Sequence, residues 1–429
     1  MNFNGEINRF CLSLREQKYA ANRLCVPDFY ITMKSGIDPD RLKEAVKHAL
    51  KLHPVFATRL IWDQGLYWLA ANDSEPVIRQ ETQDEPLIFG TAEYHGFPWV
   101  LTWSGATIRF VCSHAPADGT GIMNFLKDIL TRYLQSVGEA EPCPETPDRR
   151  PEDRYDTNPY LFSSDEPVNA LGMPRFPKAS PLPGGAGMFE KDIGKINVYD
   201  LTLKKDEIRV LAGESETTTF SVIACLLARA MQKTFAMDDG HIEVRVPVDL
   251  RPHFGTKTDR NFVYGFSLHY DAGRMRNMPS PRVETAFRSQ LDLYLDRDNL
   301  MQKMRNEKEI YLELQKHPGS PDSLPPGEND EGPVARIRYT HISKAGFPAE
   351  VERNIAKIRF VCMPRLTHDF IVTALTLGNE IHLGVLQNTR ADAYIHALTD
   401  EIRQRGLNCR TELFPVRPEA EYRPEGISL

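Results

Sequence analysis

In residues 107–134 the spacing of apolar residues changes from the two-residue period of a strand to the period of a helix. This change within one short segment constrains the fold more than any other feature of the sequence. Thr107 to Ser113 alternates as a β-strand does, because side chains two positions apart share a face. One face carries Ile108, Phe110 and Cys112, and the other carries Thr107, Arg109, Val111 and Ser113. After Gly119 the apolar residues recur at helical spacing, namely at Ile122, Phe125, Leu126, Ile129, Leu130 and Tyr133. A strand joined to an amphipathic helix by a short loop indicates a mixed α/β domain.

Strands and helices alternate through the rest of the chain as well. Asp38 as N-cap and Pro39 at the first position predict a helix, with an apolar face of Leu42, Ala45, Val46, Ala49 and Leu50. Strands are also predicted at 28–33, 66–70, 195–203 and 242–250, and a hairpin at 370–377 and 380–386. Further helices are predicted at 219–235, 283–316 and 391–405. We therefore expect two α/β lobes.

The segment from about Glu139 to Gly187 is rich in proline and glycine and shows little periodicity. Such a stretch indicates a long crossover between two lobes, or an insertion that is partly disordered. We expect an N-terminal lobe at 1–140, a linker at 141–190 and a C-terminal lobe at 191–429. A second stretch of Pro, Gly, Asp and Glu, residues 317–333, predicts a loop.

Composition and charge exclude several classes of protein. The 429 residues carry a net charge of -7 without a long basic run, so we expect no nucleic-acid partner. The amino terminus lacks a basic segment followed by an apolar one, and the most apolar helical segment, Phe220 to Met231, is too short for a bilayer. The seven cysteines form no CxxC pair, which favours free thiols in a reducing compartment. We expect a cytoplasmic protein without a transmembrane segment.

The loop between the strand and the helix of residues 107–134 reads His114-Ala-Pro-Ala-Asp118-Gly119. The register of the strand places His114 on the face of Ile108, where an imidazole can project from a rigid backbone into a cleft. The near-neutral pKa of histidine suits removal of a proton from an alcohol or an amine. Asp118 can order the loop through hydrogen bonds or an ion pair, and Gly119 permits a turn that a side chain would block.

These residues also have simpler interpretations. His114 alone is compatible with a hydrogen-bonded core histidine, and Asp118 with a helix N-cap. No G-x-S-x-G elbow is present and no third ligand stands at useful spacing, so we expect neither a hydrolase triad nor a metal site. His368 and Asp369 point to opposite faces of an extended chain, which favours a structural or peripheral role for both.

The HxxxDG pattern in this setting resembles that of the CoA-dependent acyltransferase superfamily. This group includes chloramphenicol acetyltransferase, plant alcohol acyltransferases, alcohol acetyltransferases and the condensation domains of nonribosomal peptide synthetases. Other segments resemble the superfamily in the same order along nearly the whole chain. They are Ile37 to Val46, His53-Pro54, Arg59-Leu60, Arg245 to Pro252, Arg260-Asn261-Phe262 and the hairpin around Gly378.

The resemblance implies two chloramphenicol acetyltransferase-like lobes with mixed sheets, and a channel between them with His114 midway. His114 would be the general base that takes a proton from an acceptor hydroxyl, without a covalent acyl-enzyme. The cosubstrate would be acyl-CoA or a phosphopantetheine thioester on an acyl carrier protein, and no cofactor would be bound permanently. Asp118 and Gly119 would be structural, with Arg59 or Arg251 as the partner of Asp118. We expect a monomer that accepts a small or lipidic alcohol.

The sequence departs from the superfamily at three places. Ser113 stands where many condensation domains have a first histidine, which favours an O-acyltransferase over a peptide-forming domain. The DFGWG motif of the plant enzymes is absent, and Lys344 stands where bacterial alcohol acyltransferases often have the asparagine of Ser-Asn-x-Gly. Two alternatives stay open: a stand-alone condensation-type enzyme that forms amides from carrier-bound substrates, and a non-catalytic member that binds a ligand or partner.

Overall fold

The structure is a computed structural model, and it describes eleven stretches of the chain. These are residues 9–21, 26–82, 87–140, 167–172, 176–189, 197–316, 333–342, 345–362, 370–389, 391–414 and 420–423. Ser343, Lys344, His368 and Asp369 lie outside the described residues, as do most of the loop at 317–333 and much of the linker at 141–190.

The first part of the chain contributes eight strands and three α-helices within the described residues. The strands are β1 (Arg9–Cys11), β2 (Pro27–Met33), β3 (Thr58–Asp63), β4 (Leu66–Ala71), β5 (Ile78–Gln80), β6 (Leu87–Phe89), β7 (Trp99–Ser104) and β8 (Thr107–Cys112). The helices are α1 (Leu14–Ala21), α2 (Pro39–Leu52) and α3 (Gly119–Ser136).

The second part contains the remaining described elements. Its strands are β9 (Asn197–Lys204), β10 (His241–Asp249), β11 (Val263–Asp271), β12 (Arg336–Ile342), β13 (Ile355–Cys362), β14 (Phe370–Leu377), β15 (Glu380–Gln387), β16 (Cys409–Phe414) and β17 (Ala420–Tyr422). Its helices are α4 (Lys205–Glu214), α5 (Thr219–Thr234), α6 (Arg251–Phe254), α7 (Ala272–Met275), α8 (Ser280–Tyr294), α9 (Arg297–Lys316), α10 (Ala349–Asn354) and α11 (Ala393–Gln404).

The first lobe is built on a five-stranded sheet of order β13-β2-β8-β7-β5. β8 is a central strand, so both of its faces are buried and the alternation of apolar and polar residues does not separate core from solvent. Arg109 on the second face is buried because it pairs with Asp28 at 2.7 Å and with Glu81 at 2.8 Å. α2 and α3 pack against each other, and the apolar stripe predicted for α3 is buried in the core of this lobe.

The second lobe is built on a seven-stranded mixed sheet of order β11-β10-β12-β14-β15-β9-β16. The predicted hairpin around Gly378 is present as β14 and β15. From the sequence, Pro247 in β10 predicts an edge strand or an irregular pairing. β10 lies between two strands, but β12 pairs with it only as far as Arg245, so Pro247 lies where one side of β10 has no partner.

Two segments from the second part of the chain join the first lobe. β13 pairs antiparallel with β2, and β17 pairs parallel with β6. Phe347, Val351 and Ile358 belong to the apolar core of the first lobe. The sheets therefore do not follow a single division of the chain, and residues 191–429 contribute to both. The described part of the linker near Ser180 hydrogen-bonds to the second lobe.

The helices follow their sequence signals closely. The Asp38 side chain accepts hydrogen bonds from the first turn of α2, and the left-handed Gly406 follows the end of α11, as predicted. The single helical region expected at 283–316 is wrong in one respect, since it is broken into α8 and α9. Asp296 causes the break, because its side chain accepts from the amides of Asp298 and Asn299 and starts a new helix.

Among the described residues, no single helix is both long enough and apolar enough to cross a membrane. The bent pair of α4 and α5 passes that test jointly, by length and composition alone.

Candidate active site

His114 lies two residues beyond the end of β8, in the loop that leads to α3. Its neighbours Ser113 and Ala115 are buried, whereas the His114 side chain is half-buried and keeps contact with solvent. The sheet fixes the backbone of this loop on one side and the N-terminus of α3 fixes it on the other. The imidazole therefore stands on a rigid support and is not fully buried, as a general base requires.

The surroundings of His114 favour its neutral form. Burial lowers the pKa of His114 below its ordinary value, although the negative charge of Asp118 opposes this shift. Nδ1 is buried and has no hydrogen-bond partner among the described residues. The ring is held by stacking, since the Tyr19 ring lies parallel to it with 4.1 Å between centroids and 9° between planes. A neutral imidazole can accept a proton at pH 7.

Asp118 is buried, and both of its carboxylate oxygens are engaged. Oδ1 accepts from the backbone amide of Gly121 at 3.1 Å and from Nη2 of Arg251 at 3.0 Å. Oδ2 accepts from the backbone amide of Phe262 at 2.8 Å. Asp118 is thus the N-cap of α3 and, at the same time, a bridge from the first lobe to the second.

The two arginines that the sequence offers as partners of Asp118 lie in different places. Arg251 is buried, and it also donates to the carbonyls of Thr258 at 2.7 Å and Arg260 at 2.6 Å. Arg59 is exposed on β3, beside Gly96. The structure therefore pairs Asp118 with Arg251 and does not bring Arg59 to the loop.

At the start of α3, Gly119 and Gly121 leave room for residues of the second lobe that a larger side chain would meet. Gly119 does not have a left-handed φ, so the expected backbone turn does not explain it. A Cβ there would lie 3.1 Å from Cδ1 of Ile342, which is a tight contact with a flexible side chain. Gly121 is more restricted, because a Cβ would lie 1.9 Å from the carbonyl oxygen of Asp259. The first turn of α3 therefore packs directly against the backbone of the second lobe.

The segment around Asn261 holds the other end of the His114 loop. The Nδ2 atom of Asn261 donates to the carbonyl of His114 at 2.8 Å and to that of Ala115 at 3.1 Å. Arg260 beside it forms a buried ion pair with Glu16 of α1 at 2.6 Å. The sequence resemblance includes Arg260-Asn261-Phe262 but does not say what these residues do.

A buried histidine with two carboxylate partners lies behind the loop. His53 Nδ1 is 2.7 Å from Oδ2 of Asp259, and Nε2 is 2.8 Å from Oδ2 of Asp128 on α3. Burial lowers the pKa of His53, but the hydrogen bonds and charges of the two aspartates outweigh burial and raise it above its ordinary value. His53 is fully buried and both nitrogens are occupied, so its role is to tie α3 to the second lobe.

Helix α1 completes the surroundings of His114 and is absent from the sequence predictions. Ser13 and Glu16 hydrogen-bond reciprocally at its start, the capping box signalled by Ser-x-x-Glu. This signal could have located the helix, and Tyr19 is on its last turn. No group of three or more potential metal ligands occurs in the part of the chain that the structure describes.

Comparisons with known proteins find similarity in three-dimensional structure. No family model matches the chain, and no curated protein matches it in sequence. The epimerization domain from the third module of tyrocidine synthetase B matches with a TM-score of 0.64 and 11% identity, over 93% of this chain and 95% of that domain. TRI101 of F. graminearum, in complex with coenzyme A and deoxynivalenol, matches with a TM-score of 0.64 and 13% identity, over 94% of this chain and 99% of that one.

A third solved structure is the TRI3 trichothecene 15-O-acetyltransferase from Fusarium sporotrichioides. It matches with a TM-score of 0.59 and 13% identity, over 94% of this chain and 96% of that one. Identities this low, over nearly complete chains, describe a shared fold. This chain therefore has a chloramphenicol acetyltransferase-like fold, as the HxxxDG segment and its neighbours predicted.

Proposed function

We propose that this protein is an acyltransferase that moves an acyl group from a thioester to an acceptor hydroxyl, with His114 as general base. The observation that carries this proposal is a half-exposed imidazole of lowered pKa on a loop that both lobes anchor. Proteins of the same fold support it, since one is an O-acetyltransferase and another binds coenzyme A together with deoxynivalenol.

The proposed reaction needs only one proton carrier. The acceptor oxygen attacks the carbonyl carbon of the thioester while His114 Nε2 takes the hydroxyl proton. The tetrahedral intermediate collapses, the carbon–sulfur bond breaks, and the thiolate leaves. The imidazolium then returns its proton to the thiolate, so the products are an ester and a free thiol, and no acyl group is attached to the protein.

The residues around His114 position it. Asp118 and Arg251 hold the end of the loop, Asn261 holds its beginning, and Gly119 and Gly121 allow α3 to approach the second lobe. The carboxylate of Asp118 is saturated by three donors that do not include His114. Asp118 therefore acts on the rate through the loop and not through the proton.

The donor is acyl-CoA or an acyl group on the phosphopantetheine of a carrier protein, and it reaches His114 through a channel between the lobes. The acceptor is a small or lipidic alcohol. The protein acts as a cytoplasmic monomer, with residues 1–140 and 191–429 supplying the lobes and 141–190 the crossover.

Release of free thiol tests the proposal. Purified protein is incubated with acetyl-CoA and longer acyl-CoAs against panels of alcohols and amines, and thiol is measured with a chromogenic reagent. We expect alcohol-dependent release that falls by about 10²- to 10⁴-fold in His114→Ala, the scale of general-base loss. His396→Ala is the matched control, because His396 is exposed on α11 and should leave the rate unchanged.

The same panel, extended to acyl groups on a carrier protein, separates the alternatives. Thiol release that depends on amines, or only on carrier-bound acyl groups, would favour a condensation-type enzyme that forms amides. No turnover in the wild type, together with ligand binding that His114→Ala leaves unchanged, would favour a non-catalytic binding protein. Equal rates for the wild type and His114→Ala would remove His114 from the mechanism.

A further inference from the structure

Helix α1 packs beside His114 through Tyr19. The Tyr19 ring stacks on the imidazole, and both side chains are half-buried. Arg15 lies four residues before Tyr19, so the two side chains share one face of the helix, about 6 Å apart along its axis. Arg15 also keeps contact with solvent and hydrogen-bonds to the Tyr19 side chain. A guanidinium therefore stands about one helical turn from the ring that covers the base.

The other arginines around the site have carboxylate partners. Arg251 pairs with Asp118 at 3.0 Å, and Arg260 pairs with Glu16 at 2.6 Å. Both pairs are buried, and in each pair the carboxylate neutralises the guanidinium. These two guanidinium groups are therefore already satisfied.

Arg15 differs from them in its contacts. Its guanidinium carbon lies 4.7 Å from the centroid of the Tyr264 ring, and its hydrogen-bond partner, Tyr19, is neutral. No carboxylate lies within ion-pair distance of Arg15 among the described residues, and Glu307 acts on it only from farther away. Glu307 accepts a hydrogen bond from the Tyr264 hydroxyl at 2.8 Å. A guanidinium has five donors, so donors of Arg15 remain available.

A second cation lies on the same aromatic ring. Lys303 Nζ of α9 is 4.0 Å from the centroid of the Tyr264 ring, and Arg15 lies 4.7 Å from that centroid. Two positive charges thus share one aromatic ring with Glu307 as the nearby carboxylate. Arg15 and Lys303 therefore place two positive charges beside the Tyr264 ring.

We infer that Arg15 binds an anionic group of the acceptor, a carboxylate or a phosphate, and that the preferred acceptor is an acidic alcohol. This inference rests on the proposed function, because it assigns the acceptor of the same site. The planar fork of arginine suits carboxylate and phosphate oxygens, which it binds through charge-assisted hydrogen bonds. The phosphates of coenzyme A are separated from the thioester by the whole pantetheine arm, so they do not reach a group one helical turn from the base.

Matched acceptor pairs test the inference on the full chain. 3-Hydroxybutyrate is compared with its methyl ester, and glycerol 3-phosphate with glycerol, each with acetyl-CoA. We expect a higher kcat/KM for the anionic member of a pair, and a loss of that preference by about 10- to 100-fold in Arg15→Gln, mainly through KM. Arg15→Lys should retain part of the preference. Arg282→Gln, on the exposed side of α8, is the matched control and should retain all of it.

The acyl chain is the other source of an anion near the base, and a second arm distinguishes it. A neutral alcohol is used with succinyl-CoA and with butyryl-CoA. A preference for succinyl-CoA that Arg15→Gln abolishes, without a preference among acceptors, would overturn the assignment to the acceptor. An equal loss for anionic and neutral acceptors in Arg15→Gln would also overturn it, since Arg15 would then only hold Tyr19.

Direct binding separates failure of this inference from failure of the proposed function. If no acceptor is acylated, the affinities of the wild type and Arg15→Gln for 3-hydroxybutyrate are measured by calorimetry. Weaker binding in the variant supports the anion site without acyl transfer. Equal affinity, or no binding to either protein, overturns the anion site. A melting temperature shows that the variant is folded.

Discussion

At the residue scale, the buried pair of Asp118 and Arg251 is the contact on which the His114 loop depends. Their side chains are 1% and 7% exposed, so removal of Asp118 leaves Arg251 charged and buried, with Asp249 as its remaining carboxylate partner. Breaking a buried pair typically costs about 3–5 kcal/mol, and the contact with Asp249 offsets part of that, so we expect about 2–3 kcal/mol. We predict that Asp118→Ala lowers the free energy of unfolding by about this amount and lowers turnover as well, as measured by urea denaturation and thiol release. Asp400→Ala, which removes only a surface pair with Arg403, is the control. An unchanged unfolding midpoint for Asp118→Ala would contradict the structural role.

The sequence predicts His114 and Asp118 at this scale, because both belong to one short segment with a strand before it and a helix after it. The sequence leaves Arg59 and Arg251 as equal candidates, since the choice depends on packing between segments 133 residues apart. Tyr19 and Asn261 reach His114 only through such packing too. The sequence around Tyr19 and Asn261 contains no pattern that predicts a position next to His114.

At the element scale, the start of α3 decides how closely the lobes approach. We predict that Gly121→Ala is much more damaging than Gly119→Ala. The new Cβ of Gly121→Ala meets a backbone oxygen at 1.9 Å, whereas that of Gly119→Ala meets the flexible end of Ile342 at 3.1 Å. Overpacking of this kind typically costs about 1–3 kcal/mol or more. Urea denaturation of the two variants checks this, and equal midpoints would contradict it.

Elements with strong local signals are predicted correctly from sequence, and those that depend on partners are not. α2 has its Asp38 cap, and the hairpin of β14 and β15 has its Gly378 turn. The break at Asp296 is missed because the hydrophobic period continues across it. The pairing of β10 next to Pro247 depends on where β12 stops, which no local pattern records.

At the scale of the whole molecule, strand exchange and buried polar contacts join the lobes among the described residues, and the strand exchange includes β17 beside β6. β13 crosses into the first sheet, and a set of buried polar contacts surrounds the start of α3. The linker expected at 141–190 divides the sequence into two parts, but the sheets do not follow this division. The reason is that β13, from the second part, pairs with β2 in the first, and such long-range pairing leaves no local sequence pattern. Composition and periodicity predict two α/β lobes, and they do not show which lobe a given strand joins.

His53 makes the contact between the lobes sensitive to pH. Its pKa is raised above 6.5 in the folded state, so its contribution is fully present below pH 6.5 and is lost as the pH rises through the folded pKa. We predict that stability to urea falls by about 1–3 kcal/mol across that rise, as charge-assisted hydrogen bonds are lost. His53→Gln removes the titration and should flatten this dependence. A wild-type stability that increases over the same interval would contradict the prediction.

The pH dependence of kcat/KM for an alcohol acceptor tests the central claim most directly, because it reports the pKa of the essential base in the free protein. His114 must be neutral to accept the proton, and burial lowers its pKa. We predict that kcat/KM rises with pH, with a midpoint below 6.5, and is already at its plateau at neutral pH. A midpoint above 6.5, or a rate that does not change across the acid range, would contradict the assignment of His114 as a neutral base at this site.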